Sequence, residues 1–565
     1  MKLQNSFFIT RKENPSNDEY IASQLLIRSG MLYKNGEGIY TYTPIGKKIL
    51  DNLIRIIKEE HEKNNANEVL MPSLVNEEVF KRSSRDKLFG NSMFNIKDTD
   101  DNVFSLCPTH EELFACLADQ IILSYKDLHF TLFQISNKYR NEIDTNINRR
   151  KEFMMCDAYS FDADDSGMDI SYDTMYHVYK KIFDRFCIKT VTALSYPGKM
   201  QGILSEEFQC ESEKGEDTII KCKKCSFVAN SDIAQIKRQD YFSNEKNKKY
   251  LKVFTPNVSK VDELATFLGI RKDTIIKSMI FKVNDKYKMV LVRGTDEINI
   301  NKLCLLYNTD NIRLATENEI ITLGSIPGYV GPIKATMEII ADNYIKTLVN
   351  GVCGSNIKDY HYVNATPGVD FKVDRYEDIK IFSKNDLCPR CGSKVDFLKT
   401  IEIANIFKLG TIYSDAFSLK YSNEKNEYNR VYMGSYGIGI ERCLNMIVEQ
   451  HHDSKGIVWP MEVSPFKVCI VIVNVNDKIS VKYANDLYEK LNKMKIDTLL
   501  DNRKESVGSK FIDMDLIGIP IRITVGFKIN EGIVEIKERE EKEGKEIKTD
   551  NLIKEISKII ENCIK

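Results

Sequence analysis

Glycine and proline are scarce in this 565-residue chain, 28 and 13 residues respectively, while hydrophobic residues make up 42%. That balance excludes collagen-like repeats and long low-complexity disorder. Cysteine is also sparse, with 14 residues that mostly sit singly inside apolar runs. A disulfide-stapled scaffold is excluded on that ground, and a reducing cytoplasm is the expected home. No apolar run reaches 18 residues, and the Phe7-Phe8-Ile9 stretch is cut short by Arg11, Lys12 and Glu13. Neither a membrane span nor a secretory leader is expected. Charge of one sign is missing too: 81 Lys and Arg stand against 82 Asp and Glu, a net charge of -1. Any nucleic-acid partner must then be held by local patches and not by a global field.

What the chain does contain is enough apolar material for three or four domains, at about 150 residues each. Pro44 can open a helix, and Ile45, Ile49, Leu53, Ile56 and Ile57 recur at helical spacing as far as His61. After Asn64-Asn65, residues 68–72 read as a short apolar strand stopped by Pro72. Strand formers over 132–143 and 151–161 flank the turn residues 144–148, which predicts a long antiparallel hairpin. Two Cys-x-x-Cys pairs, Cys222/Cys225 and Cys388/Cys391, bracket a segment long enough to be a domain. Within it 261–268 reads as helix and 278–283 with 289–293 as paired strands. Further on, 430–436 reads as strand and 438–450 as helix. From Pro465 the pattern alternates: strand 467–475, helix 480–493, strand 496–500, helix 508–517, strands 520–526 and 532–537, helix 551–563. Such alternation predicts a compact α/β domain with a largely parallel sheet.

Three clusters carry chemistry. Arg140 and Glu142 lie two apart, which on one strand places them on one face, and Arg149 and Phe153 return on the partner strand. A guanidinium can grip phosphate in two hydrogen bonds, a carboxylate can accept a purine amino group, and a ring can stack on it. Taken alone, the hairpin is more simply read as a cross-strand ion pair beside a core phenylalanine. The second cluster runs from Gly434 to Arg442, with glycines spaced Gly-x-x-Gly-x-Gly and an arginine in the first turns of a helix. That spacing differs from the dinucleotide fingerprint. The third, Cys107-Pro-Thr-His-Glu-Glu112, offers hydroxyl and carboxylate groups to an ammonium, or a helix start capped by Thr109.

In order along the chain, these clusters resemble the three signature motifs of class II aminoacyl-tRNA synthetases. The chain is more closely similar to the bacterial-type prolyl-tRNA synthetases, through Gly38-Ile-Tyr-Thr-Tyr-Thr-Pro44, Pro108-Thr-His-Glu111, Asp157-Ala-Tyr-Ser-Phe161, Ile406-Phe-Lys-Leu-Gly-Thr411, Gly456-Ile-Val-Trp-Pro460 and Leu516-Ile-Gly-Ile-Pro520. The resemblance implies an α+β multidomain protein. Its parts are a class II antiparallel-sheet catalytic core at 1–228 and 386–464, an α/β editing insertion at 229–385, and a C-terminal α/β anticodon-binding domain at 465–565. It implies ATP with Mg²⁺, L-proline and tRNA(Pro) as ligands, and a homodimer built on the 45–64 helix and 68–72 strand.

By the same resemblance, Arg140 holds the α-phosphate and the proline carboxylate, Glu142 takes the adenine amino group and Phe153 stacks on the ring. Arg149 and Arg442 grip the outer phosphates, while Thr109 and Glu111 orient the imino nitrogen. Lys277, Gly331, Asp342 and His361 mark a deacylase that clears alanine from tRNA(Pro). Cys222, Cys225, Cys388 and Cys391 would hold one structural Zn²⁺, thiolates being the soft ligands that suit it; reduced, unpaired cysteines are the alternative. Departures from the family pattern are a short loop at 144–148, Cys156 for lysine, Glu206 for histidine, Ala404-Asn405 for Gly-His, and Ser435 for cysteine. They leave open a paralogue with altered amino-acid or acceptor specificity.

Overall fold

The computed structural model describes residues 1–15, 18–200, 202–237 and 245–564. The chain forms two compact units: one of residues 1–192, 199–216 and 400–565, the other of 193–198 and 217–399. The second is wider than the expected 229–385 insertion, because both cysteine pairs belong to it.

In the first unit, helix Pro44–Lys63 buries the expected face, with Ile49, Leu53, Ile56 and Ile57 fully enclosed. Its continuation departs from the sequence reading, because the strand is Ala66–Glu68, paired parallel to Phe130–Tyr139. Val69 N still donates to Phe133 O at 2.8 Å. Beyond it, Met71 N turns to the Gln134 side chain at 3.0 Å and Pro72 has no N–H, so the ladder ends early.

The sheet that carries the site runs, in spatial order, Leu204–Glu211, residues 400–410 of Val395–Gly410, Tyr432–Gly439, Glu152–Asp162, Phe130–Tyr139 and Ala66–Glu68. All neighbours are antiparallel except the last pair. The hairpin at its centre corrects a second expectation. Its strands end at Tyr139 and resume at Glu152, so the connection is 140–151 and not 144–148. Arg140 and Glu142 therefore do not share a strand face; Glu142 N donates to Arg140 O at 2.8 Å in a tight turn. Strand Tyr432–Gly439 and helix Ile440–Gln450 begin two residues later than the sequence suggested.

The C-terminal sheet has the order Thr498–Asp501, Val468–Ile472, Ile521–Val525, Ile533–Glu538, Lys545–Lys548. The first three are mutually parallel and the last two antiparallel, so the sheet is mixed, not largely parallel. The antiparallel edge is strand Lys545–Lys548, whose charges suit a solvated edge. Helices Lys478–Lys493 and Thr549–Ile564 belong to this domain and contribute Leu487, Leu491, Leu552 and Ile556 to its core.

The second unit is built on an eight-stranded mixed sheet among the described residues. At its centre Ile275–Val283 pairs antiparallel with Lys286–Arg293 and parallel with Gly351–Gly354. Helix Val261–Leu268 coincides with the sequence reading.

Candidate active site

Two cavities open on the exposed face of the central antiparallel sheet in the first unit, of about 240 Å³ and 210 Å³. They share Arg140, Glu142, Met155, Asn405 and Gly437 as common wall. A Cβ on Gly437 would stand 2.9 Å from Asn405 Oδ1, so glycine there leaves that side chain undisturbed at the junction.

The larger cavity collects the residues of the hairpin and of the glycine-rich strand. The Arg140 guanidinium donates to Pro108 O from Nε and Nη2, at 3.3 and 3.2 Å, and lies 5.1 Å from the Phe153 ring centroid. Burial and the positive charge of Arg442 pull its pKa down from the ordinary arginine value. Two guanidiniums in one enclosed space form a site that an anion completes. Arg442, in the first turn of its helix, is held by Glu402: Nη1 donates to the carbonyl at 2.9 Å and to Oε2 at 3.1 Å. Arg149 lines the same cavity from the loop, paired with Glu216 at 2.5 Å. Glu142 lines both cavities.

The smaller cavity is walled by Thr109, Glu111, Tyr159, Ser435 and Met200. Thr109 Oγ1 donates to Glu111 Oε2 at 2.5 Å, and Ser435 Oγ donates to Glu111 Oε1 at 3.2 Å. Glu111 opens helix Glu111–Ile121, and both its oxygens are thus fixed before any ligand arrives. Arg85 anchors it further, with Nη1 at 2.7 Å from Oε2. That ion pair is 1% exposed on both sides, and Arg85 holds the Glu111 carboxyl below its ordinary value against the opposing effect of burial.

Several of these residues escaped sequence reading. Arg85 sits in a polar, unpatterned stretch, and only its complete burial distinguishes it. Lys138 is fully buried and donates to Asp157 at 2.6 Å, Ser136 at 2.7 Å and His110 Nδ1 at 2.9 Å. Glu402 belongs to none of the family runs and Asn405 stands out only as a departure from the family pattern; Asn405 Nδ2 donates to Glu402 Oε1 at 2.8 Å. The family departures scatter. Cys156 is buried beneath the sheet at 3.8 Å from His61 Nε2, and Glu206 accepts from Tyr172 OH at 2.6 Å. Ser435, Ala404 and Asn405 do line the cavities.

In the second unit the four cysteines converge, their sulfurs all within 4.8 Å of one another. Cys222 and Cys391 lie 3.4 Å apart and Cys225 and Cys388 3.6 Å. Such a set of soft donors fits one tetrahedral zinc. Of the other four marked residues, Lys277, Asp342 and His361 lie on strands of this unit's sheet and Gly331 on the loop that packs against Gly354. Lys277 pairs with Glu297 at 2.6 Å. His361 is built into packing: Nδ1 lies 2.7 Å from Thr255 Oγ1, its ring 5.5 Å from Tyr329, and burial pulls it down to about 4. Gly331 abuts Gly354, the register partner of His361, and a Cβ on it would meet Gly354 O at 1.8 Å. Its N–H donates to Asn356 Oδ1 at 2.9 Å. Asp342 is turned inward, accepting from Tyr344 N at 3.0 Å and Ile379 N at 3.3 Å, and burial pushes it up to about 6.

Residues 94–451 match the family model for the tRNA synthetase class II core domain (G, H, P, S and T), and 467–559 match that for an anticodon binding domain. Fold and site together define a class II aminoacyl-tRNA synthetase. The proline–tRNA ligase of Caldicellulosiruptor bescii is 41% identical over 564 residues, covering 99% of this chain and 98% of its own. That of Staphylococcus saprophyticus is 38% identical over the whole of both chains. The chain belongs to the proline–tRNA ligase family. In fold it is similar to the prolyl-tRNA synthetase of Cryptosporidium parvum solved with L-proline and AMP, at a TM-score of 0.58 and 13% identity, covering 98% of this chain and 78% of that one.

Proposed function

We propose that this chain activates L-proline with ATP and transfers it to tRNA(Pro). The observation that carries this is the shared wall: Arg140 faces both cavities at once. A triphosphate in the larger cavity and an amino acid in the smaller one would meet at that guanidinium. The proline carboxylate oxygen then attacks the α-phosphorus, the bond to the β-phosphate oxygen breaks, and pyrophosphate leaves. Arg140 stabilises the charge that builds on the α-phosphoryl oxygens, which is where preorganised cations contribute most. In the second step a hydroxyl at the tRNA 3′ end attacks the prolyl carbonyl and AMP departs. Most of the catalysis is positioning.

In this scheme Phe153 stacks on adenine, Glu142 accepts its amino group, and Arg442 and Arg149 take the outer phosphates, leaving Glu402 and Glu216. Thr109 and Glu111 receive the imino nitrogen. The Glu402 carboxylate, released by Arg442, is a hard oxygen donor that suits Mg²⁺, which when bound would neutralise phosphate charge. The four cysteines hold structural Zn²⁺. The insertion hydrolyses alanine mischarged on tRNA(Pro), since a pocket for proline rejects the smaller residue only modestly. Helix Pro44–Lys63 and the strand after it form the two-fold interface of a homodimer. The protein works in the cytoplasm, where aminoacyl-tRNA is used in protein synthesis, the work its proline–tRNA ligase relatives are named for. Transfer of labelled proline to tRNA(Pro) by purified protein tests the scheme. Charging is expected with proline, and its absence with active tRNA overturns it.

A further inference from the structure

The floor beneath the smaller cavity contains more carboxylate than its cation can balance. Arg85 Nη1 lies 2.7 Å from Glu111 Oε2, and 3.2 and 3.1 Å from the two oxygens of Glu112. Ser83 Oγ donates to Glu112 Oε1 at 2.7 Å. Arg85, Glu111 and Glu112 are each 1% exposed. Glu111 lines the cavity; Glu112 does not. The neighbouring Lys138 is matched by Asp157. With both carboxylates ionised, one guanidinium leaves a buried excess of one negative charge, a costly arrangement that a cation bound in the cavity relieves. Burial pushes the Glu112 carboxyl up from its ordinary value, with Glu111 adding to the rise and Arg85 opposing it.

Arg85 also shapes the same cavity. Its guanidinium lies 4.9 Å from the Phe89 ring centroid and Nη2 is 3.2 Å from Met200 Sδ, and both residues are in the cavity wall. On the far side the ring of Tyr413 is 5.6 Å away. Three separate wall residues, Phe89, Met200 and Glu111, are thus seated on one side chain that substrate does not need to touch.

Resting on the proposed ligase activity, we infer that Glu112 and Arg85 are positioning residues with separable tasks. Glu112 supplies the negative charge that the cationic ring nitrogen of the amino acid neutralises, relayed through Arg85 and Glu111. Arg85 fixes the shape of the pocket. An amino acid enters as a zwitterion, with its carboxylate toward Arg140 and its cation toward Glu111, and the uncompensated charge selects for that cation.

The test compares proline with tetrahydrofuran-2-carboxylate, a near-isostere whose ring oxygen bears no positive charge. Binding of each to the full-length protein is measured by calorimetry in wild type, Glu112→Gln, Glu112→Asp and Arg85→Lys. Glu112→Gln is expected to weaken proline roughly ten- to hundredfold, as for loss of a charge-assisted interaction, and not to weaken the analogue, an anion that lacks the cationic nitrogen. Glu112→Asp, which keeps the charge, restores most of the preference. Arg85→Lys keeps the charge balance but releases the wall, so both ligands weaken together. Equal weakening of both ligands in Glu112→Gln, or unchanged proline binding, overturns the inference. If Glu112→Gln fails to fold, loss of the preference in Arg85→Lys contradicts it instead. Wild type that binds no proline refutes the ligase activity itself and so is told apart from either result.

Discussion

The Arg442 guanidinium rests on Glu402, 2.9 Å from its carbonyl oxygen and 3.1 Å from its carboxylate. An arginine poised on an acidic partner at a cavity wall is held in place without being neutralised permanently, because a polyphosphate offers it more charge and bidentate geometry. Arg442 lines the larger cavity alone, whereas Arg140 lines both. The two arginines should therefore fail in different ways.

Arg442→Ala should lower pyrophosphate exchange roughly 10²–10³-fold, the usual loss when a charge that stabilises a phosphoryl transition state is removed. Proline binding measured by calorimetry should be unchanged. Arg140→Ala should damage both. Equal proline weakening in the two variants would contradict the division of the site.

Acid should destabilise the first unit through His61. Burial pulls this imidazole down to about 4, with Nδ1 2.8 Å from Ile57 O and the ring 4.7 Å from Phe133. A histidine whose folded value lies below its unfolded one contributes stability that is full above the unfolded value near 6.5. It is lost as pH falls toward 4, where the unfolded chain binds the extra proton. At pH 5 the loss is about 2 kcal/mol. In urea unfolding, His61→Gln should gain about that much on wild type between pH 7 and pH 5; a difference independent of pH would contradict it.

Much of this was legible from residues. The stripe on helix Pro44–Lys63 and the C-terminal alternation follow from periodicity, since tertiary packing there agrees with local pattern. What the sequence hid was decided at a distance. The strand before Pro72 ended early because Met71 found Gln134, far along the chain. Arg140 and Glu142 left the strand because the connection takes twelve residues, with Asn146 Oδ1 accepting from Asn148 N and Arg149 N inside it. Arg85 and Lys138 look like ordinary surface cations until their burial is seen. The family motifs pointed to Arg140, Thr109, Glu111 and Arg442, which line the two cavities; nothing in local pattern pointed to the residues beneath them.

The four cysteines should carry one zinc per chain in protein purified without chelator. Cys222→Ser with Cys225→Ser should abolish it and lower the thermal midpoint of the second unit, since a structural zinc adds its binding free energy to folding. Elemental analysis showing well under one zinc per chain would contradict this.

Editing should be detectable with Ala-tRNA(Pro). Wild type should hydrolyse it, and Lys277→Ala, which frees Glu297 and removes the cation, should slow hydrolysis about tenfold or more, the usual scale for a lost charge-assisted contact. Proline charging should be normal in the variant. Equal hydrolysis by both proteins, or none by wild type, would contradict the assignment.

The most direct test of the central claim is ATP–pyrophosphate exchange by the purified protein, run with each of the twenty amino acids in turn. Proline should support exchange most strongly, with alanine far behind. Exchange supported best by another amino acid, or by none, would contradict it.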